Sequence, residues 1–553
     1  MDLAIHNRAE VDGKPEATKP AVPNGAELLV ECLYRHGVRH VFGMPGSHST
    51  YIYDAIHRHG GIQTILCRHE QAGSFMADGY ARSTGRPGVV CTTAGPGATN
   101  ALTGIAEAYS DSVPVLLIAG QVNHDRIHQE CGRYHEIDLE GIFRPCVRFA
   151  ATAMRNEQIP SMVDRAFEAM VAGRPGPAAL MLPQDLMAMR AFDPPRASPA
   201  ELRRFISSND PCDDSRNNLI WRAIECIRTS QRPVIVAGGG CVSSGAAKQV
   251  EELAQRLGCP VVTTLNGKGI LDERSALCFG HGRTRRARMV LLRADLLIAI
   301  GCRFTEVFTA SGTIPLPKRI IQIDIDPSQM GTNYPVELGI VGDARTVVQA
   351  IVSGLTYRDS TWRETWQRAR NAEQLKPEWL IETLRAELPE TSIIFTDASE
   401  MGLRMQTDFA AYAPRTFFYP SNYATLGWGF PAAIGAATVR SNRWTVCMSG
   451  DGGFLMTAQE LATATRYNLR MIIVVHNDST YGAIKALQRA RHESRYIDID
   501  LNNPDLVKFG ESFGVRSCRA RNSEEFASAV HKALGNDGPS LIEVPDEWRS
   551  VRL

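Results

Sequence analysis

Short β-prone runs alternate with stretches of helical spacing along most of the chain. Residues 88–93, 115–119 and 179–183, then 234–237, 296–300 and 320–325, then 392–396, 444–448 and 471–475 are dominated by Val, Ile, Leu, Ala and other apolar side chains. Residues 38–42 add a weaker strand at the start. Strands that alternate with helices throughout point to an α/β fold of doubly wound parallel sheets, here three of them. The expected organisation is a tail at 1–22, a first domain at 23–191, a linker at 192–216, a central domain at 217–356, a linker at 357–376 and a third domain at 377–553.

Composition narrows the field. The chain has 553 residues, of which 44% are hydrophobic, and 60 basic residues balance 60 acidic ones. That length supports about three globular domains, and the absence of net charge gives nucleic acid or a membrane surface no electrostatic handle. The first 22 residues carry Glu10, Asp12 and Glu16 and no long apolar run, so they read as a mobile tail rather than a signal peptide. Thirteen cysteines show no Cys-x-x-Cys spacing, which fits reduced thiols and a cytoplasmic location.

The chemistry is concentrated in two runs, Met448-Ser449-Gly450-Asp451-Gly452-Gly453-Phe454 and Val475-His476-Asn477-Asp478-Ser479-Thr480-Tyr481-Gly482. Each follows an apolar strand, so Asp451 and Asp478 are expected at the carboxyl ends of parallel strands, where open α/β sheets bind ligands. Residues 457–464, between them, have helical composition. Glycines then stand where a diphosphate would approach a helix N-terminus, and two hard carboxylates beside such a cradle suit Mg²⁺.

Gly450-Asp451-Gly452, with an Asn-Asp pair ending 27 positions after its Asp, resembles the fingerprint of thiamin-diphosphate (ThDP) enzymes. The resemblance implies Mg²⁺ bound by the side chains of Asp451 and Asp478 and the carbonyl of Thr480, with Gly450, Gly452, Gly453, Tyr481 and Gly482 around the diphosphate. A second stretch, Arg68-His69-Glu70-Gln71-Ala72-Gly73 running on to Gly79-Tyr80-Ala81-Arg82, is similar to acetolactate synthase-like enzymes of this class. There the glutamate, here Glu70, binds N1′ of the cofactor's aminopyrimidine, and such a bond favours the imino tautomer that removes the thiazolium proton. Gly95-Pro96-Gly97-Ala98-Thr99-Asn100 matches the family's G-P-G-x-T-N loop, which brings Pro96 and Asn100 to the cofactor. Ala424-Thr425-Leu426-Gly427 matches the segment whose bulky residue, here Leu426, bends it.

The resemblance covers nearly the whole chain after the tail and implies pyrimidine-binding, central and diphosphate-binding domains. In the central one, Gly238-Gly239-Gly240 lacks the G-x-G-x-x-G spacing of a dinucleotide fingerprint. Gly301-Cys302-Arg303-Phe304, Asp324-Ile325-Asp326-Pro327 and Met330-Gly331-Thr332-Asn333 resemble FAD-lining stretches, but they persist in relatives without flavin, and FAD is not favoured as a cofactor.

Departures from the family pattern bear on substrate. Tyr134-His135-Glu136 stands where the biosynthetic synthases have Phe-Gln-Glu, which makes His135 a candidate catalytic residue at the reacting centre. Lys485 and Leu487 stand where those enzymes use methionine and tryptophan. Ser47, His48, His135 and Lys485 are the candidate substrate contacts. The expected function is an acetolactate synthase-like lyase or transferase that decarboxylates a 2-oxo acid and ligates the resulting enamine to a second carbonyl compound. The alternatives are a simple decarboxylase of a polar 2-oxo acid, like 2-ketoarginine or oxalyl-CoA decarboxylases, and a non-catalytic ThDP-binding homologue. In this family the cofactor lies between two subunits, so a homodimer or homotetramer with shared sites is expected.

Overall fold

The computed structural model describes residues 22–129, 132–190, 214–357, 362–371, 378–439 and 442–546. Residues 1–21 of the expected tail and most of the expected 192–216 linker lie outside the described residues.

Three six-stranded sheets form, and every strand pairing in them is parallel. The first holds β1 (His40–Gly43), β2 (Gln63–Leu66), β3 (Gly88–Thr92), β4 (Val115–Gln121), β5 (Phe149–Thr152) and β6 (Ala178–Pro183) in the order β2-β1-β3-β4-β6-β5. The second holds β7 (Pro233–Ala237), β8 (Val261–Thr263), β9 (Cys278–His281), β10 (Leu296–Ile300), β11 (Ile320–Asp324) and β12 (Leu338–Val341), ordered β12-β11-β10-β7-β8-β9. The third holds β13 (Ile393–Thr396), β14 (Phe417–Phe418), β15 (Thr445–Gly450), β16 (Met471–Asn477), β17 (Arg516–Arg519) and β18 (Ser540–Pro545), ordered β14-β13-β15-β16-β18-β17. The first and third sheets thus share one strand order.

Each sheet contains a reversal in the chain's direction of travel, between β1 and β3, between β7 and β10 and between β13 and β15, and loops rich in glycine or acid leave the strands there. In the first sheet the loops after β1 and β3 carry Ser47-His48 and Gly95-Pro96-Gly97. In the second, Gly238 to Gly240 follow β7 and Gly301 follows β10. In the third, Asp397 follows β13 and Asp451 follows β15. Such reversals open a crevice at the carboxyl edge, which is where ligands enter doubly wound sheets.

The first and third sheets are fused rather than merely tethered. One hydrophobic cluster contains Phe42, Phe75 and Met76 from the first together with Phe395, Trp428, Phe430 and Phe454 from the third. At its centre the Glu70–Thr84 helix lies against the Gly429–Ala437 helix. A Cβ on Gly79 would stand 2.0 Å from the Ala432 carbonyl oxygen, and one on Gly435 would stand 1.9 Å from that of Met76. Only glycine lets two helix backbones meet this closely.

The second sheet keeps its own core. Part of the expected 357–376 linker belongs to that core: residues 362–371 form a helix (Trp362–Asn371) because Trp362 and Trp366 are buried there. Their indole N–H groups donate to the carbonyls of Pro233 and Gly258 at 3.0 Å each. The helix Asp214–Thr229 likewise begins inside the expected 192–216 linker. Among the described residues no helix is long and apolar enough to cross a membrane, and the eleven described cysteines are free thiols.

Glu460 adds a polar lock between the first and third sheets. Its carboxylate accepts the N–H groups of Arg68 and His69 at 2.9 and 3.1 Å, and the Thr463 hydroxyl at 2.7 Å. Burial pushes its pKa from 4.5 up to about 7 in spite of these bonds. A carboxyl whose folded-state pKa is raised contributes stability that is full below its unfolded value and is lost as pH rises through the folded one. Thermal stability should therefore fall between pH 4.5 and about 7, with a limiting slope of ~1.4 kcal/mol per pH unit. Melting scans across this range should show a shallower slope for Glu460→Gln than for the wild type, and identical slopes would remove Glu460 as the cause.

Candidate cofactor site

The third sheet builds one group of the proposed site residues. β15 and β16 pair with Gly450 level with His476, so Asp451 and Asn477 leave the sheet side by side and Asp478 follows one residue later. Asn503 ties them together, its Nδ2 donating to Asp451 Oδ2 and, at 3.0 Å, to Asn477 Oδ1. The loop after β16 is pinned from behind. Tyr481 N–H and the Thr480 hydroxyl both donate to the Ile499 carbonyl at 2.8 and 2.9 Å, and Leu501 N–H donates to the Ser479 carbonyl. Ser479 adopts φ +51°, the left-handed conformation that turns the loop.

Glycines clear the space beside these carboxylates. A Cβ on Gly452 would meet the Tyr481 ring at 2.7 Å, one on Gly453 would meet Asp397 Oδ2 at 2.5 Å, and one on Gly482 would meet Asp478 Oδ2 at 2.8 Å. The Asp451–Thr457 helix starts immediately at the strand end, earlier than the expected helix at 457–464, which is instead a 3-10 turn leading into Leu461–Arg466. Continuous pairing of β15 through Gly450 explains this early start. Asp451 is buried, and burial pushes its carboxyl above the ordinary range although Asn503 opposes the shift. A buried carboxylate with this tendency fits a cation, and an all-oxygen donor set of Asp451, Asp478 and a backbone carbonyl fits Mg²⁺.

The first sheet builds a second group. Glu70 opens the Glu70–Thr84 helix and is mostly buried. Asn100 donates to its Oε2 at 3.0 Å, and Gly97 leaves room for Oε1, which a Cβ there would approach to 3.0 Å. Pro96 opens the helix Pro96–Asp111, fixing the loop that presents Asn100. Among the described residues Glu70 forms no ion pair. A buried carboxylate with one side-chain donor and no cation fits a ligand nitrogen that brings its own N–H. Ser47, His48 and His135 gather over the same Thr93–Asn100 loop: His48 N–H donates to Thr93 Oγ1, and the His135 backbone lies against Gly95.

Contacts that join the first and third sheets run through Glu460, through the Gly79–Ala432 approach, and through Glu107 and Asp111. Leu426 lies on the surface of the third-sheet group, 36% exposed. Lys485, on the Gly482–Arg491 helix, extends its Nζ over the Tyr496 ring at 5.7 Å and makes no ion pair among the described residues. Gly301 to Phe304 and Asp324 line a separate cavity of about 1650 Å³, together with Arg174, Gly239 and Arg345.

Sequence reasoning missed Asp397. This fully buried carboxylate accepts the Gly427 N–H at 2.9 Å, the Ala398 N–H at 2.9 Å and the Ser449 hydroxyl at 3.1 Å, so it fixes the Leu426–Gly427 turn against β15. An acidic residue directly after the apolar run 393–396 is the signal that marks it.

Three regions match the thiamine pyrophosphate enzyme family: its N-terminal TPP binding domain over residues 23–142, its central domain over 220–351 and its C-terminal TPP binding domain over 397–544. Among curated relatives, the probable acetolactate synthase large subunit of Methanococcus aeolicus is 34% identical across 94% of this chain and 91% of its own. The acetolactate synthase isozyme 3 large subunit of Escherichia coli (strain K12) is 34% identical across 92% of each, and the acetolactate synthase of Arthrospira platensis is 32% identical across 94% and 93%.

Asp397→Ala would remove the acceptor of the Ala398 and Gly427 N–H groups and of the Ser449 hydroxyl and leave buried donors unpaired, at a cost of about 1–3 kcal/mol for each. Amide exchange at Gly427 should accelerate in this variant while exchange in β3 and β4 stays slow, as hydrogen-exchange mass spectrometry would record. Unchanged protection at Gly427 would show that the turn does not depend on Asp397.

Proposed function

The chain belongs to the thiamine pyrophosphate enzyme family, and we propose that it is a ThDP- and Mg²⁺-dependent enzyme of the acetolactate synthase kind, removing CO₂ from one 2-oxo acid and joining the remaining fragment to a second carbonyl compound. The observation that carries the reading is the side-by-side exit of Asp451 and the Asn477–Tyr481 loop from β15 and β16. Relatives named acetolactate synthase over nine-tenths of the chain support the reaction type.

Asp451, Asp478 and the Thr480 carbonyl would hold Mg²⁺, and Gly450, Gly452, Gly453, Tyr481 and Gly482 would shape the diphosphate cradle. Glu70, with Asn100 and the Pro96 turn, would hold the proton at N1′ of the aminopyrimidine, while Leu426 would support the rings. When bound, ThDP supplies the electron sink for cleaving the bond between a carbonyl carbon and its neighbour. His135 would work at the substrate side, with Ser47, His48 and Lys485 as further substrate contacts. FAD is not favoured, since stretches like those at 301–304, 324–327 and 330–333 persist in relatives without flavin, although Gly301 to Phe304 and Asp324 line a cavity of about 1650 Å³. Free thiols support a cytoplasmic enzyme.

Apolar exposure supports an assembly with shared sites. Leu426, Met456, Ile484 and Leu487 on the third-sheet side and Tyr134 on the first-sheet side are exposed in one chain. In a symmetric dimer, each first-sheet group would face the third-sheet group of the partner subunit, and a dimer of dimers would repeat the arrangement.

With pyruvate, ThDP and Mg²⁺, the purified enzyme should release CO₂ and form acetolactate, as gas release and product chromatography would record. No CO₂ from pyruvate or from a panel of other 2-oxo acids would reject the reading. Glu70→Gln and Asp451→Ala should each be inactive, Asp451→Ala through lost Mg²⁺-dependent ThDP binding in calorimetry. Mixing the two should restore activity, because a mixed dimer contains one site with both intact residues. No recovery despite demonstrated subunit exchange would refute shared sites.

A further inference from the structure

His48 and His135 come together from different loops at the carboxyl edge of the first sheet. His48 follows β1, and His135 arrives on the segment after β4. Their ring centroids are 5.4 Å apart, and the Tyr134 ring covers His135 at 3.8 Å with an interplanar angle of 20°. Neither histidine is free to drift. His48 is 7% exposed, its N–H donates to Thr93 Oγ1, and its carbonyl presses on Gly120, where a Cβ would come within 2.6 Å. His135 holds a left-handed φ of +64° against Gly95.

Ser47 decides which face of His48 works. Its Oγ lies 3.0 Å from His48 Nδ1, and among the described residues His48 Nε2 has no hydrogen-bond partner. His135 Nδ1 is buried, again without a partner. A buried imidazole nitrogen without a partner, as His135 Nδ1 is, is costly unless a ligand or water completes it. The Thr93 and Ser47 hydroxyls and the Tyr134 ring also face the pair, and among the described residues no carboxylate is bonded to either imidazole. Two imidazoles this close share one positive charge far more readily than they carry two.

We propose that His48 is a catalytic residue of the ligation step, working through Nε2 as one member of a proton-sharing pair with His135, with Ser47 as the positioning residue that fixes Nδ1. The proposal rests on the carboligase reading above. The proton balance fits a pair that holds a single proton. When the new C–C bond forms, the acceptor's carbonyl π electrons move to its oxygen, which takes one proton to become the hydroxyl of the product. When the donor carbon leaves as a ketone, its oxygen gives one proton up. His48 supplies the first and the pair recovers the second, so no outside acid or base is consumed. Burial, and then the neighbouring His135, hold His48 below the ordinary imidazole pKa, so its protonated form gives a proton up more readily than a free imidazolium does.

His48→Asn, Ser47→Ala and wild type should be compared with pyruvate, ThDP and Mg²⁺. Calorimetry should give the same ThDP affinity for all three, since none of these residues holds the cofactor. His48→Asn should lower acetolactate formed per CO₂ released by about tenfold or more, the range of general acid-base effects, and should flatten the acidic limb of the pH profile for ligation. Ser47→Ala should keep that limb but shift it. In the enzyme without cofactor, NMR of selectively labelled histidine should show His48 titrating below a free imidazole and moving up in His135→Gln. An unchanged product ratio and pH profile in His48→Asn, with wild-type ligation intact, would overturn the role of His48 alone, and an unchanged His48 titration in His135→Gln would overturn the pairing. Wild-type enzyme that releases CO₂ without ligation would instead overturn the reading on which the proposal rests.

Discussion

The direct contact of two helix backbones is the constraint on which the rest of the molecule depends. Gly79 and Gly435 remove the side chains that would separate the Glu70–Thr84 and Gly429–Ala437 helices, and each glycine sits on a carbonyl of the other helix. Everything in the shared core of the first and third sheets is placed by that approach, including Phe75, Trp428 and Phe430. The helix that makes it also starts with Glu70, so the same contact that fuses the sheets fixes where the proposed cofactor-binding glutamate stands.

Around this apolar contact, buried carboxylates act as fixed acceptors for loops. Asp111 accepts the N–H groups of Ser421 and Asn422, Glu107 accepts the Thr425 hydroxyl at 2.7 Å, and Asp397 accepts Gly427. Arg82 lies among Asp78, Glu107 and Asp111 with its guanidinium over the Trp428 ring. Three acids around one guanidinium are not all comfortable as anions, and burial pushes Glu107 up to about 8. The turn that carries Leu426 is thus held from the first sheet by Glu107 and from its own sheet by Asp397. Its apolar side chain is left facing outward because both fixings act on the backbone and hydroxyl beside it.

The third-sheet and first-sheet groups differ in polar character. The third-sheet group is acidic and amide-rich, suited to a cation and an anionic diphosphate that neutralise each other. The first-sheet group has one carboxylate and two imidazoles, suited to hydrogen-bonding a nitrogen heterocycle and a carbonyl compound. The division follows from the loops at the strand-order reversals, because the identical strand orders of the first and third sheets give each the same crevice with different residues in it.

Much was legible in the sequence. The apolar runs 115–119, 234–237, 296–300 and 471–475 became strands β4, β7, β10 and β16 with ends within two residues, since strands covered by helices on both faces leave continuous apolar runs. The edge strand β17 left no such run, because a half-exposed strand tolerates polar residues such as Arg516 and Arg519. Glycine and Asp-Gly spacing marked the loops at the carboxyl edges, because local backbone demands act at short range. The helix formed by residues 362–371 was hidden, since its two tryptophans reveal themselves only by the core they fill. So were the Asp397 anchor, the Gly79 approach to Ala432, and the ring pair of His48 and His135. Each joins segments dozens to hundreds of residues apart, and contact across such distances is decided by packing, which local pattern does not encode.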